Sequence, residues 1–200
     1  IYRDENGLAP IFKSVKNAEK ILFEVEKSKS YKTPAGNSKY CKNILDLVLG
    51  KVIIDERGDK IGSIQIPGAG SGLRIAGELI KNNLQNKLIS IPDPTWGQQP
   101  FMFKKSGLKV INHTYYNQQN NCLDFDNMSK DLKKLKSGDA VLLHGCCHNP
   151  TGADLTIDQW EQVANICLKH GILPFIDLVY QGLGKGVEED VLGIRKLVQI

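Results

Sequence analysis

The amino-acid sequence predicts an α/β fold, a mostly parallel sheet with helices on both faces. Two features carry this expectation. From Lys60 onward, apolar runs of strand length alternate with segments whose apolar residues recur every three or four positions, and repeated strand, helix, strand is the order that parallel pairing requires. The 200 residues are 41% hydrophobic and 24% charged, the balance of a globular chain with enough apolar surface for one sizeable core. Disordered and fibrous classes are thereby excluded, and no apolar run approaches the roughly 20 residues of a membrane-spanning helix.

Taken in order, Ser14 to Lys27 sets Val15, Ala18, Leu22 and Val25 on one face and predicts an amphipathic helix. Tyr31 to Asn37, with Pro34 and Gly36, predicts a turn. A second helix with Cys41, Ile44 and Val48 on one side is expected to stop at Gly50, a residue suited to the left-handed conformation that ends helices. A loop or hairpin holding Asp55, Arg57, Gly58 and Asp59 should follow. Strands are then expected at 61–66, 87–91, 109–112, 140–144 and 172–177, with helices near 72–82, 98–105, 127–136, 157–169 and 188–198. The helix at 157 has the clearest start: Thr156 with Gln159 three residues on matches a capping box, Trp160, Val163 and Cys167 line one face, and Gly171 closes it. No internal repeat or low-complexity tract interrupts the pattern.

The net charge of +4 is dispersed as single lysines among acids, with short clusters such as Lys133-Lys134 beside Asp131. Such faces are solvated rather than adhesive, so neither nucleic acid nor membrane is an expected partner. The opening residues, Ile1-Tyr2-Arg3-Asp4-Glu5, lack the basic-then-apolar pattern of a signal peptide. Five cysteines, Cys41, Cys122, Cys146, Cys147 and Cys167, are odd in number and sit in core-like segments. That fits reduced thiols in a cytosol-like compartment rather than a disulfide framework.

In open sheets of this kind ligands bind beyond the carboxyl ends of the strands, so the loops after the apolar runs should hold the chemistry. Pro67-Gly68-Ala69-Gly70-Ser71-Gly72 opens into a helix, where free amides and the helix dipole favour a phosphate and Ser71 adds a hydroxyl. A dinucleotide-binding turn is one rival reading, but its third glycine falls on Leu73; a plain tight turn is the other. Trp96, in Pro92-Asp93-Pro94-Thr95-Trp96-Gly97, either stacks on an aromatic ring or simply packs the loop. His144-Gly145-Cys146-Cys147-His148-Asn149-Pro150-Thr151-Gly152 invites a zinc reading. Adjacent cysteines in an extended segment point to opposite faces, however, and neither Cys-x-x-Cys nor a helical His-x-x-x-His is present, so no metal site is expected. Asn149, held by Pro150, suits a donor to a ligand oxygen. Asp177 ends an apolar strand, where a carboxylate is costly unless a cation or donor meets it. It is either a satisfied turn residue or the partner of a protonated ring nitrogen, with Tyr180 offering a phenol to the same ligand.

Ser14-Val15-Lys16-Asn17-Ala18-Glu19, Pro94-Thr95-Trp96-Gly97, Leu143 to Gly152, Gln159-Trp160 and Asp177-Leu178-Val179-Tyr180-Gln181-Gly182 together resemble the aspartate aminotransferase subfamily that includes the aromatic aminotransferases. The resemblance runs in order over nearly the whole chain. Its specific part is the His-Asn-Pro-Thr-Gly loop followed about 25 residues later by Asp-x-x-Tyr-Gln-Gly. It implies the aminotransferase fold of the fold type I pyridoxal-phosphate enzymes, with residues 1–13 opening a small domain and 14–200 forming the large cofactor-binding domain. It further implies pyridoxal 5'-phosphate as cofactor, and transamination between L-aspartate or an aromatic amino acid and a 2-oxo acid such as 2-oxoglutarate; the thiols place the expected site of action in the cytoplasm. By position, Asp177 would keep the pyridine nitrogen protonated, Asn149 and Tyr180 would hydrogen-bond the ring's phenolic oxygen, and Trp96 would stack on the ring. Gly70, Ser71 and the neighbouring amides would take the phosphate. Tyr31 matches a tyrosine that reaches the phosphate of the neighbouring subunit, which implies a homodimer.

Three departures from the family pattern bear on these expectations. The usual Gly-Thr pair is Ala69-Gly70 here, so the threonine hydroxyl is missing and Ser71 is the candidate to replace it. Gln99 stands where a histidine normally buttresses the aspartate; an amide can orient that carboxylate but supplies no charge. The lysine that carries the cofactor and the arginine that grips its phosphate are expected beyond Ile200, and Lys185, in a Gly-rich loop outside a Ser-Lys-Asn context, is no substitute. A non-catalytic fragment of the same fold is the remaining alternative.

Overall fold

A computed structural model describes residues 3–31 and 33–200; Ile1 and Tyr2, and Lys32 within the predicted turn, lie outside the described residues. The chain divides into two compact units, Ile1–Pro34 and Ala35–Ile200. In the first, Asp4 turns the backbone by accepting from the N–H groups of Asn6 and Leu8 at 3.0 and 2.9 Å. Helix α1, Lys13–Val25, then forms where the three-and-four spacing predicts it.

The second unit runs α2 (Ser38–Arg57), α3 (Ala69–Asn83), β1 (Leu88–Asp93), α4 (Gln98–Lys105), β2 (Lys109–Thr114), β3 (Tyr116–Asn117), β4 (Cys122–Leu123), α5 (Phe125–Leu132), β5 (Ala140–His144), α6 (Ile157–His170), β6 (Leu173–Asp177) and α7 (Leu192–Gln199). The predicted parallel sheet has the order β2-β1-β5-β6. Its register sets His144 opposite Asp177 and Asp93 opposite Thr114, so the strands finish together at one edge. Side chains alternate along β5 with period two. Ala140 and Leu142 enter a core with Leu73, Ile80 and Phe103 from α3 and α4. Val141 and Leu143 enter a second core with Met128, Leu132, Trp160, Val163 and Cys167 from α5 and α6. Helices thus cover both faces, and a continuously apolar strand is needed between them. The capping box at Thr156 and Gln159 and the left-handed Gly171 bound α6 as expected.

Several boundaries differ from the sequence expectation. Residues 61–66 form no strand among the described residues: Ile61, Ile64 and Ile66 are spaced three and two apart, so they do not share one face of a strand. The segment instead anchors the start of α2, with Gln65 N–H donating to Ala35 O and Gln65 Oε1 accepting from Asn37 N–H, both at 2.9 Å. Gly50 interrupts α2 rather than ending it, with φ 77° and ψ 162°. Arg195 takes up the carbonyls freed there, donating to Val48 O at 2.9 Å and Leu47 O at 3.1 Å. The expected loop at Asp55 to Asp59 is helix as far as Arg57, carried by buried Ile53 and a Lys51–Asp55 ion pair, then a 3-10 turn over Gly58–Lys60. The hairpin of β3 and β4 was not expected, α5 begins at its Asp124 cap, and the last helix starts with a 3-10 turn at Glu189–Val191.

Helix α7 packs on α6 through Gly193, where an added Cβ would overlap the Trp160 indole. Overpacking a buried contact of this kind costs about 1–3 kcal/mol, more than the roughly 1 kcal/mol that alanine gains over glycine in a helix. Gly193→Ala should therefore lower the urea unfolding midpoint with an unchanged slope; a raised midpoint would show that the indole moves aside freely.

Candidate active site

Asp177 closes β6 at the sheet edge, half-buried and beside the end of β5. Its carboxylate Oδ2 accepts from Gln99 Nε2 at 2.6 Å. The other end of that amide, Gln99 Oε1, accepts from the Thr95 hydroxyl and faces His144 Nε2 at 3.1 Å. His144 Nδ1 in turn accepts from the Asn149 backbone N–H at 3.2 Å. An acceptor at Nδ1 assigns the imidazole proton to Nε2, so the chain of donors runs Asn149 N–H, His144 Nε2–H, Gln99 amide, Asp177 carboxylate. Burial lowers the His144 pKa from its usual value against the pull of Asp177 and then Asp154. The groups that orient Asp177 are therefore neutral, and its negative charge is left for a ligand.

The glycine-rich turn opens α3 three residues earlier than expected. Gly68 has φ 141° and ψ 166°, a backbone region closed to residues with a Cβ. The first intrahelical bond is Gly72 N–H to Gly68 O at 3.1 Å, which leaves the Ala69, Gly70 and Ser71 amides without a helical partner and pointing past the N-terminus. Ala69, Gly72 and Leu73 of this turn and Ile176, Asp177 and Leu178 of the β6 end line one cavity of about 420 Å³. Ala69, whose amide opens the helix, and the Asp177 carboxylate thus line the same space. Leu73, at the position of a dinucleotide turn's third glycine, is 4% exposed and fills the core under α3, so the close helix–strand approach of that motif is not built here.

Behind this edge lies a stack of imidazoles. His148 packs on His144 at 4.4 Å and on Tyr115 at 3.9 Å between ring centroids. His148 Nδ1 bonds Thr151 Oγ1 at 2.8 Å, and His113 Nδ1 bonds Ser90 Oγ at 3.0 Å. The Nε2 atoms of both His113 and His148 are buried without a partner. Burial holds each imidazole near pKa 3, because a proton on Nε2 would have no acceptor.

One hydrogen-bonded edge therefore holds Asp177, the Asn149 loop and the Thr95-Trp96 loop; Ala69 at the start of α3 lines the cavity that Asp177 borders, and Gly70 and Ser71 lie outside that lining. Trp96 is half-buried against the α3–α4 core, and its carbonyl accepts from Gln99 N–H at 2.9 Å. The Asn149-Pro150 and Asp93-Pro94 peptide bonds are cis. Among the described residues, neither the Asn149 carboxamide nor the Tyr180 hydroxyl has a protein hydrogen-bond partner. Tyr31 belongs to the first unit and is fully exposed. Thr95 and His144 were missed as members of this network; the only signal for His144 was its place at a strand end, because its pairing with Asp177 is a product of the register.

The chain matches the model of the family described as aminotransferase class I and II over residues 1–199. It is 39% identical over 195 residues to the aspartate aminotransferase of Haemophilus influenzae, covering 98% of this chain and 49% of that protein. It is 40% identical over 198 residues to the aromatic-amino-acid aminotransferase of Pseudomonas aeruginosa, with the same coverage of each. An aromatic-amino-acid aminotransferase structure from Burkholderia pseudomallei, covalently bound to pyridoxal phosphate, superposes with a TM-score of 0.94 at 30% identity, covering 100% of this chain and 50% of that one. The chain thus spans about half the length of the relatives it matches. From its first residues to its last helix, it belongs to the class I and II aminotransferases.

Proposed function

We propose that the full-length protein transfers the amino group between an L-amino acid, aspartate or an aromatic one, and a 2-oxo acid, with pyridoxal 5'-phosphate as cofactor. One observation carries the reading: a cavity with one wall at Ala69, the first of three amides left without a helical partner at the start of α3, and another at Asp177, a carboxylate held by the neutral Gln99 amide. That donor set fits a ligand with a phosphate and a protonated ring nitrogen. The names of the relatives support the same class of reaction.

In this reading the Ala69, Gly70 and Ser71 amides and the Ser71 hydroxyl bind the phosphate. Trp96 covers one face of the ring and excludes water from it. Asn149 and Tyr180 donate to the ring oxygen, and their free polar groups are suited to that. Asp177 holds the proton on the ring nitrogen, aimed by Gln99. When bound, the cofactor supplies the electron sink for the carbanion chemistry of amino-group transfer. Tyr31 is proposed to reach the phosphate of a second subunit, making the enzyme a homodimer. The five free thiols suit a reducing, cytoplasmic location, and no helix among the described residues is long and apolar enough to cross a membrane.

The test uses full-length protein with pyridoxal phosphate. Expected are a visible absorbance band that amino acid shifts and 2-oxoglutarate restores, with turnover of aspartate or an aromatic amino acid. Mixed dimers carrying Tyr31→Phe in one subunit should loosen cofactor in the other. Absence of the band and of turnover would sink the reading; loosening in the same subunit would sink the assignment of Tyr31 across the interface.

A further inference from the structure

Cys146 and Cys147 take no part in the proposed transamination, yet their geometry is specific. The sequence expectation of opposed side chains assumed an extended segment. Cys147 instead has φ 49°, and the turn is held in place by Cys147 N–H and His148 N–H donating to the two oxygens of Asp154 at 2.8 and 2.9 Å. This bend brings the two sulfurs and a carboxylate oxygen of Asp190 within 4.8 Å of one another. Cys146 is buried, Cys147 half-buried, and Cys146 borders a cleft of about 240 Å³ with Asp154, Lys185 and Asp190.

The ligand chemistry follows from what Asp190 is already doing. Its Oδ2 accepts from the N–H groups of Gly182 and Gly184 at 2.9 and 3.0 Å, and its Oδ1 from those of Lys185 and Gly186 at 2.7 and 3.4 Å. Four amides occupy the carboxylate. A hard cation needing about six oxygen ligands finds none free, and zinc, which takes about four ligands, finds only two sulfurs. A pair of thiols without a free hard ligand suits a soft ion of low coordination number. Sulfurs already within 4.8 Å of each other need only side-chain rotation to meet on one soft atom.

We propose that Cys146 and Cys147 form a dithiol site for a trivalent organoarsenical, held through both sulfurs. In the binding step two S–H and two As–O bonds break and two As–S bonds form. Each proton leaves with an arsenic-bound hydroxide as water, and arsenic stays trivalent, so no oxidant is required. Burial pushes the Cys146 thiol up to about 12, which slows one-point alkylation by keeping the nucleophilic thiolate scarce. Two-point capture gains instead from the second sulfur being already in place.

The test adds phenylarsine oxide to the full-length protein and reads intact mass, a measurement independent of transaminase activity. Expected is one adduct that survives a monothiol wash and is removed by a dithiol. Cys146→Ser and Cys147→Ser should each weaken retention by about 100-fold or more, the scale on which a second linked contact acts, while Cys122→Ser retains it. Melting curves identify a variant that fails to fold, in which case Cys147→Ala, at the half-buried position, takes its place. Full retention in a folded Cys147 variant, a stable adduct mapped to another cysteine, or no stable adduct on the parent protein would overturn the proposal.

Discussion

Asp177→Asn should leave a folded, cofactor-retaining enzyme whose removal of the substrate α-proton is slower by about three orders of magnitude. The substitution preserves the shape that Gln99 grips at 2.6 Å and removes only the charge. Two unit charges about 4 Å apart attract by about 4 kcal/mol at an effective dielectric near 20, and about 1.4 kcal/mol is a factor of ten in rate. Retention rests on different groups, the α3 amides and Trp96, so the cofactor should stay. A purely structural carboxylate predicts the opposite split, with lost stability and near-normal turnover of whatever remains folded. Single-turnover kinetics beside a melting curve separates the two: wild-type rates per folded site would end the assignment of Asp177 to the ring nitrogen.

Acidification should begin to destabilise the second unit at about pH 6.5, before its carboxylates start to be protonated. His113 and His148 are held near pKa 3 in the folded chain, against about 6.5 when unfolded. Between those values the unfolded chain binds more protons, so stability is full above about pH 6.5 and falls as pH drops toward 3. Each pKa unit is worth about 1.4 kcal/mol, so each histidine costs on the order of several kcal/mol by pH 3. Two of them approach the roughly 5–15 kcal/mol that holds a domain together. Asp131 adds a loss only lower down. Its carboxyl is held near 2 by the Lys134 ammonium and the Thr114 donors against burial, so its contribution is present above about pH 4 and disappears below. Urea midpoints measured from pH 7 to pH 4 should fall steadily, and His148→Gln should flatten the slope; a flat profile in the parent protein would show that the imidazoles are charged or solvated in the fold.

The amino-acid sequence by itself determined the local elements whose signals are local. Thr156, Gln159 and Gly171 bound α6 because capping is a contact between near neighbours in the chain. The runs at 88–93 and 140–144 are strands because apolar residues on both faces suit only a sheet covered on both sides. Asp177 was legible as a candidate for the same reason, a charge at the end of an apolar strand that some partner must meet. The tertiary structure alone decided who that partner is: Gln99 lies 78 residues away, and its alignment with Asp177 follows from strand register and helix packing, which no spacing in the chain encodes. It also decided the fate of residues 61–66, where apolar content suggested a strand but no strand among the described residues pairs with it, and of Gly50, whose helix continues with Arg195 donating to the carbonyl of Val48. Cys147 makes the point at the scale of one residue: sequence proximity joins it to Cys146, but only the left-handed turn held by Asp154 brings their sulfurs to one side.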